Sequence, residues 1–155
     1  MEGTTFYNRI ENIDAESKYL IDKAKQAIHL SYAPYSNFQV GAAILLEDNT
    51  VVLGGNQENA SYPLCMCAER IALYVVASEH RGKKIKKLAV VAQKEHLSEF
   101  TGATCCGACR QVLFEFEMRQ SSPIEIVMMT SGNRWLIVKS AESLLPYSFS
   151  KQDLS

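Results

Sequence analysis

A chain of 155 residues with 47% hydrophobic content is long enough to bury one core without disulfide staples, and residues 1–155 are read as a single domain. Sixteen Lys and Arg against 17 Asp and Glu leave a formal charge of −1, so there is no overall electrostatic footprint for nucleic acid; a small, weakly charged ligand is the easier partner. No apolar run approaches the roughly 18 residues of a membrane span, and the polar, mixed-charge start is neither a secretory nor a transit leader, which predicts a cytoplasmic protein with no membrane partner.

Residues 1–13 show no clean period and read as an irregular arm. Asp14 is a fitting N-cap for a first helix over 15–31, with Leu20, Ala24, Ala27 and Ile28 at helical spacing. Residues 38–46 read as a strand with Phe38, Val40, Ala42, Ile44 and Leu46 on one face, turned back by Glu47-Asp48-Asn49 into a second strand at 50–53. Gly54-Gly55 ends this hairpin, and the polar loop 56–63 that follows is a candidate ligand surface.

A second helix is expected over 67–80, burying Ile71, Ala72, Val75 and Val76. The run Arg81-Gly82-Lys83-Lys84-Ile85-Lys86-Lys87 carries five cations. It reads as a solvated connection, its charge suited to the helix C-terminus, in preference to a nucleic-acid patch. Residues 88–92 are almost wholly apolar, as in a central strand covered on both faces. A third helix follows Cys106 with Val112, Leu113 and Phe116 on one side, then strands at 124–129 and 135–138 and a helical turn at 140–145 stopped by Pro146. Residues 146–155 form a tail carrying Tyr147 and Phe149. This order predicts an α/β layered domain with its helices packed on one sheet.

The cysteines, Cys65, Cys67, Cys105, Cys106 and Cys109, are odd in number and clustered in two stretches, which points to metal or catalysis before disulfides. Cys106 and Cys109, three apart in a first helical turn, can face one zinc ion, with Cys67 as third ligand and the fourth position open to water. No His lies near either stretch, and Cys65 and Cys105 read as small buried hydrophobes. Three thiolates leave zinc with a net charge of −1. Two helix N-termini, Arg70, and Gln111 as a second donor to the sulfurs would offset that charge.

Glu69 is the natural proton carrier for a water acidified by the metal. Residues two apart on a helix point about 200° apart, so Cys67 and Glu69 share a site only if Cys67 is the N-cap. The competing readings are dipole compensation for Glu69, a surface cation for Arg70 and a redox pair for the C-x-x-C. The pairing of C-x-E with a later C-x-x-C weighs against all three, being the pattern of zinc deaminases.

Over most of its length the chain resembles the small, all-cysteine, homotetrameric cytidine deaminases. The segments that carry the resemblance are Phe38-Gln39-Val40-Gly41-Ala42-Ala43, 55–63, Cys67-Ala68-Glu69-Arg70, Cys106-Gly107-Ala108-Cys109-Arg110-Gln111 with Glu115-Phe116, and 144–149. The resemblance implies a three-layer α/β/α fold with a five-stranded mixed sheet, and one Zn²⁺ per chain on Cys67, Cys106 and Cys109. It implies hydrolytic deamination of cytidine and deoxycytidine to uridine and deoxyuridine, with Glu69 protonating N3 and then the departing amine. Ala68 would offer its backbone to the base, Asn56 and Glu58 would bind the ribose hydroxyls, and Phe38 would line the base pocket. Phe149 would cover the base in a neighbouring subunit, and Tyr62 would lie near a subunit boundary. One departure is visible: Cys105 stands where such sequences usually carry Pro. The rival readings are deamination of another aminopyrimidine, including a base within a polynucleotide, and a zinc-stabilised interaction module with a closed fourth ligand. Glu58, which would repel a phosphate, favours a free nucleoside.

Overall fold

The computed structural model describes residues 3–154; Met1, Glu2 and Ser155, the ends of the expected 1–155 domain, lie outside the described residues. The elements are β1 (Thr4–Tyr7), α1 (Ala15–Ala27), β2 (Phe38–Leu46), β3 (Val51–Gly55), α2 (Ala68–Glu79), β4 (Ile85–Lys94), β5 (Phe100–Thr101), α3 (Gly107–Gln120), β6 (Glu125–Met129) and β7 (Trp135–Val138). They form one sheet in the order β1-β7-β6-β4-β2-β3, with β5 paired to β4. Only β4 and β6 run parallel; the other pairs are antiparallel, so the sheet is mixed.

Side-chain alternation sorts the core into two layers. Ala42, Ile44 and Leu46 of β2 pack with Ala72 and Leu73 of α2 and Leu113 of α3, while Ala43 and Leu45 face Leu20, Ile21 and Ala24 of α1. The result is α1 on one face and α2 with α3 on the other, the expected α/β/α order. Covered on both sides, Leu88 to Ala92 of β4 are all buried. On α2 the buried face is Ala68, Glu69, Ala72, Leu73 and Val76, whereas Ile71 and Val75, expected inside, are half-buried.

Two glycines let the helices approach the sheet. A Cβ on Gly41 would stand 2.1 Å from Ala24 O, and one on Gly54 would stand 2.4 Å from Ala68 O. Gly54 therefore fixes how the first turn of α2, where the cysteine and glutamate chemistry begins, lies on β3.

Four expectations are corrected. The sheet has seven strands rather than five. Part of the supposed irregular arm is β1, which pairs with β7 from Thr4↔Val138 to Tyr7↔Trp135; its half-exposed edge position leaves no alternation to read, because the backbone ladder orders it. The cationic run is not all solvated connection, since Ile85 to Lys87 open β4. Lys87 is buried, with Nζ 2.8 Å from Glu125, 3.3 Å from Glu16 and 3.4 Å from Asp14, beneath the N-terminus of α1. The first helix also ends earlier than expected, its last turn tightening to a 3-10 turn at Ile28–Leu30.

Candidate active site

Cys67 and Cys106 occupy equivalent positions. Each is the N-cap of its helix, with extended backbone at φ −72°, ψ 150° and φ −69°, ψ 165°. The geometric condition on Cys67 is thus met: it stands outside helical dihedrals and shares a site with Glu69, one step into the helix. Neither N-cap thiol caps its own helix, so both sulfurs are free to face the gap between α2 and α3.

The sulfurs converge there. Cys67 Sγ lies 3.8 Å from Cys106 Sγ, which lies 3.5 Å from Cys109 Sγ, and all three fall within 4.8 Å of one another. A tetrahedral zinc with bonds of about 2.3 Å has ligand edges of roughly 3.8 Å, so the donor set fits that ion. Among the described residues no His, carboxylate or further thiol joins the group. Cys105 is buried, as expected of a small hydrophobe. Cys65 is half-buried and engages Asn59, whose N–H lies 3.3 Å from its sulfur.

Charge around the sulfurs is managed locally. Arg70 Nη2 lies 3.8 Å from Cys67 Sγ and 3.5 Å from Cys65 O, and the buried Arg70 Nε has no partner. The Cys109 thiol and the Arg70 guanidinium beside Cys67 bring its pKa down to about 5, while the same shared proton drives Cys109 upward. Gln111, expected as a second donor to the sulfurs, instead donates Nε2 to Phe149 O at 2.9 Å and ties the tail to α3. Glu69 is 4% exposed; burial raises its pKa, and negative charge on Cys67 adds to the effect. Burial likewise pushes up the Cys105 thiol, with the Glu69 carboxylate next to it contributing.

Cys67, Cys106 and Glu69 line one cleft of about 460 Å³, whose walls include Phe38, Asn56 and Glu58. Asn56 is anchored to β2 and the loop before it. Its Oδ1 accepts from Ser31 Oγ at 2.5 Å and Val40 N at 2.8 Å, and its Nδ2 donates to Phe38 O at 2.9 Å. Glu58 accepts from Ser36 Oγ and from the N–H groups of Tyr35 and Ser36 at 2.8 and 3.3 Å; these bonds, that of the Ser36 hydroxyl first, hold its carboxyl below the usual range. Tyr62 and Phe149 are 68% and 58% exposed and are absent from the lining of their own chain's cleft. Tyr62 instead packs edge-on against Tyr35, with ring centroids 5.8 Å apart.

Sequence reasoning missed Ser31 and Ser36, which orient Asn56 and Glu58, and Ala103 and Thr104 on the far wall of the cleft. They sit in aperiodic segments. The turn-forming run Pro34-Tyr35-Ser36-Asn37 is the sequence signal for the loop that folds over residue 58.

Comparison with known proteins agrees with this geometry. The family described as "Cytidine and deoxycytidylate deaminase zinc-binding region" matches residues 14–122. A cytidine deaminase of Sporosarcina psychrophila is 40% identical over 136 residues, covering 88% of this chain and 93% of its own length. One from Halalkalibacterium halodurans is 38% identical over 141 residues, covering 90% and 98%. The crystal structure of cytidine deaminase from Burkholderia pseudomallei superposes with a TM-score of 0.70 at 40% identity, covering 88% of this chain and 100% of that one. With three converging thiols, a buried glutamate beside them and matches that span the domain, the chain belongs to the cytidine deaminase family.

Proposed function

We propose that this chain, acting as a single catalytic domain, hydrolyses the exocyclic amine of cytidine and deoxycytidine to give uridine or deoxyuridine and ammonia, a step of pyrimidine salvage. The observation that carries the reading is the buried Glu69 carboxyl set beside a three-sulfur donor group in one nucleoside-sized cleft. A zinc ion held by Cys67, Cys106 and Cys109 supplies the Lewis acidity that brings a water's pKa toward neutrality.

The remaining work falls to the chain. A Glu69 carboxylate oxygen takes one proton from the attacking water and delivers it to N3 of the pyrimidine. It then takes the proton of the C4 hydroxyl to the amine, which leaves as ammonia while C4 becomes a carbonyl. A carboxyl raised by burial suits this task, since its protonated form is not costly. The N–H of Ala68, in the first turn of α2 and without an acceptor in its own helix, is available to the base. Phe38 offers an aromatic face to the ring. Asn56 keeps one amide hydrogen after its bond to Phe38 O, and the ionised Glu58 accepts from hydroxyls, so the two suit the ribose.

The cleft is lined by Glu58 and Glu69 and by no Lys or Arg, which favours a free nucleoside over a 5′-phosphate or a polynucleotide. Phe149, exposed and absent from its own cleft, suits a homotetramer in which it completes a neighbour's pocket, with Tyr62, exposed beside Glu58 at the rim of its own cleft, near the subunit boundary. The five free cysteines suit a reducing compartment, and we assign the protein to the cytoplasm; among the described residues no helix is long and apolar enough to cross a membrane.

The decisive experiment follows ultraviolet absorbance and ammonia release with cytidine, deoxycytidine and deoxycytidine monophosphate, together with zinc per chain. Turnover of both nucleosides, one zinc per chain and poor use of the monophosphate are expected. Absence of both zinc and turnover would sink the reading, and preferred turnover of the monophosphate would overturn the substrate class. Phe149→Ala is expected to raise KM about tenfold with kcat nearly kept, the loss of one stacked ring. A fully active isolated monomer would refute the shared pocket.

A further inference from the structure

A second cavity, of about 560 Å³, is separate from the nucleoside cleft. It lies at the other end of α2 and α3, where the two helices stop beside the turn that leads into β4. Its lining includes Arg81, Lys83, Lys84 and Arg119, with the His80 ring beside them, the Phe116 ring in its floor and no carboxylate. In a chain whose formal charge is −1, this is a marked concentration of one sign.

Ordinary compensation does not account for it. Asp48 pairs with Lys83 from outside the cavity, but among the described residues Arg81, Lys84 and Arg119 have no ion-pair partner. Arg119 sits over the Phe116 ring, its Cζ 4.8 Å from the ring centre. Two helix C-termini contribute together about one negative charge and the Glu47 carboxylate at the Lys84 N–H another, which the three cations still exceed by about one. The backbone that carries these cations is also fixed. Gly82, at φ +82°, turns the chain; the turn is closed by His80 N to Val76 O and Lys83 N to His80 O; and Lys84 is fixed on both sides, its N–H to Glu47 Oε1 and its O from Glu47 N. Holding like charges around a concavity is unfavourable unless an anion enters it.

We propose that this cavity binds a multiply charged phosphate, free or esterified to a small organic group. Guanidinium and ammonium donors lining one cavity from two elements, the 81–84 turn and α3, match phosphate oxygens, and the Arg119–Phe116 pair beside them can receive an ester's flat group. The cations are confined to one concavity and form no stripe, which favours a small ligand over a polynucleotide. The site is independent of the catalytic cleft, since the 12 residues of α2 put about 18 Å between them.

The test is calorimetric titration of the zinc-loaded protein at low ionic strength with inorganic triphosphate, with a nucleoside triphosphate and with a single-stranded oligonucleotide. Saturable binding of either small phosphate, weakened at least about tenfold in the double variant Arg81→Ser, Lys84→Ser and largely kept in Arg81→Lys, is expected. Tighter binding of the nucleotide than of triphosphate assigns the ligand to an ester; equal binding assigns it to phosphate alone. Both substituted side chains are exposed and, among the described residues, unpartnered, so the double variant should fold and deaminate cytidine at the wild-type rate, a check made in parallel. No saturable binding, or equal binding to the double variant, overturns the proposal; the second outcome would also expose mere chelation of zinc by triphosphate. Preferential binding of the oligonucleotide would replace it with a polyanion surface.

Discussion

The two ends of the α2–α3 pair carry opposite chemistry on the same two helices. At the N-terminal end three sulfurs and a buried glutamate converge, and at the C-terminal end four cations surround a cavity. Helix polarity favours this sorting, because thiolate is stabilised by free N–H groups and cations by free carbonyls. Polarity alone does not make a site, however. At the N-terminal end the side chains are within ligand distance of one another and one is withdrawn from water, whereas at the C-terminal end the cations other than Lys83 have no ion-pair partner among the described residues.

The largest effect should come from the thiol end. Cys109→Ala removes the buried member of the donor set, so zinc should fall from one per chain to near zero and turnover to background, as metal analysis and absorbance assay would show. If zinc were retained at full occupancy, the three-sulfur assignment would be wrong. Next comes Glu69→Gln, which keeps size and polarity but cannot cycle a proton: kcat should fall about 10²- to 10⁴-fold with zinc unchanged. Near-normal turnover in that variant would return Glu69 to a structural role.

Local geometry made the thiol end legible from sequence. Because Cys67 and Glu69 are two apart, sharing a site forced Cys67 out of the helix, and the N-cap dihedrals agree. Asp14 was readable for the same reason, as its side chain accepts from Ser17 N at 2.8 Å one turn into α1. Long-range partners were not readable. β1 is ordered by β7, more than 100 residues away, and Gln111 is claimed by the tail carbonyl of Phe149, which no spacing rule anticipates. Glu58 was picked out by type and motif, but the hydroxyl and amides that set its charge come from residues 35 and 36. The cationic run was misread as uniform because composition does not reveal where β4 begins.

That run supplies the smaller predictions, by dividing cations built into the fold from cations that are free. Lys87→Met removes the ammonium shared by Asp14, Glu16 and Glu125, leaving Glu16 its bond to Lys86 and the other two without an ion pair among the described residues. The carboxylate side chains are 30–52% exposed, so the loss should be about 2–3 kcal/mol, below that for a fully buried pair, read as a lower denaturation midpoint. Arg81→Ser, six residues earlier, removes an exposed guanidinium with no partner among the described residues and should shift stability by no more than about 0.5 kcal/mol. Since unpaired like charges repel, that small shift is expected to be stabilising without phosphate and to vanish as salt screens the cavity. A clear destabilisation by Arg81→Ser at all salt concentrations would mean that the cation serves the fold, and the contrast between the two helix ends would reduce to dipole compensation.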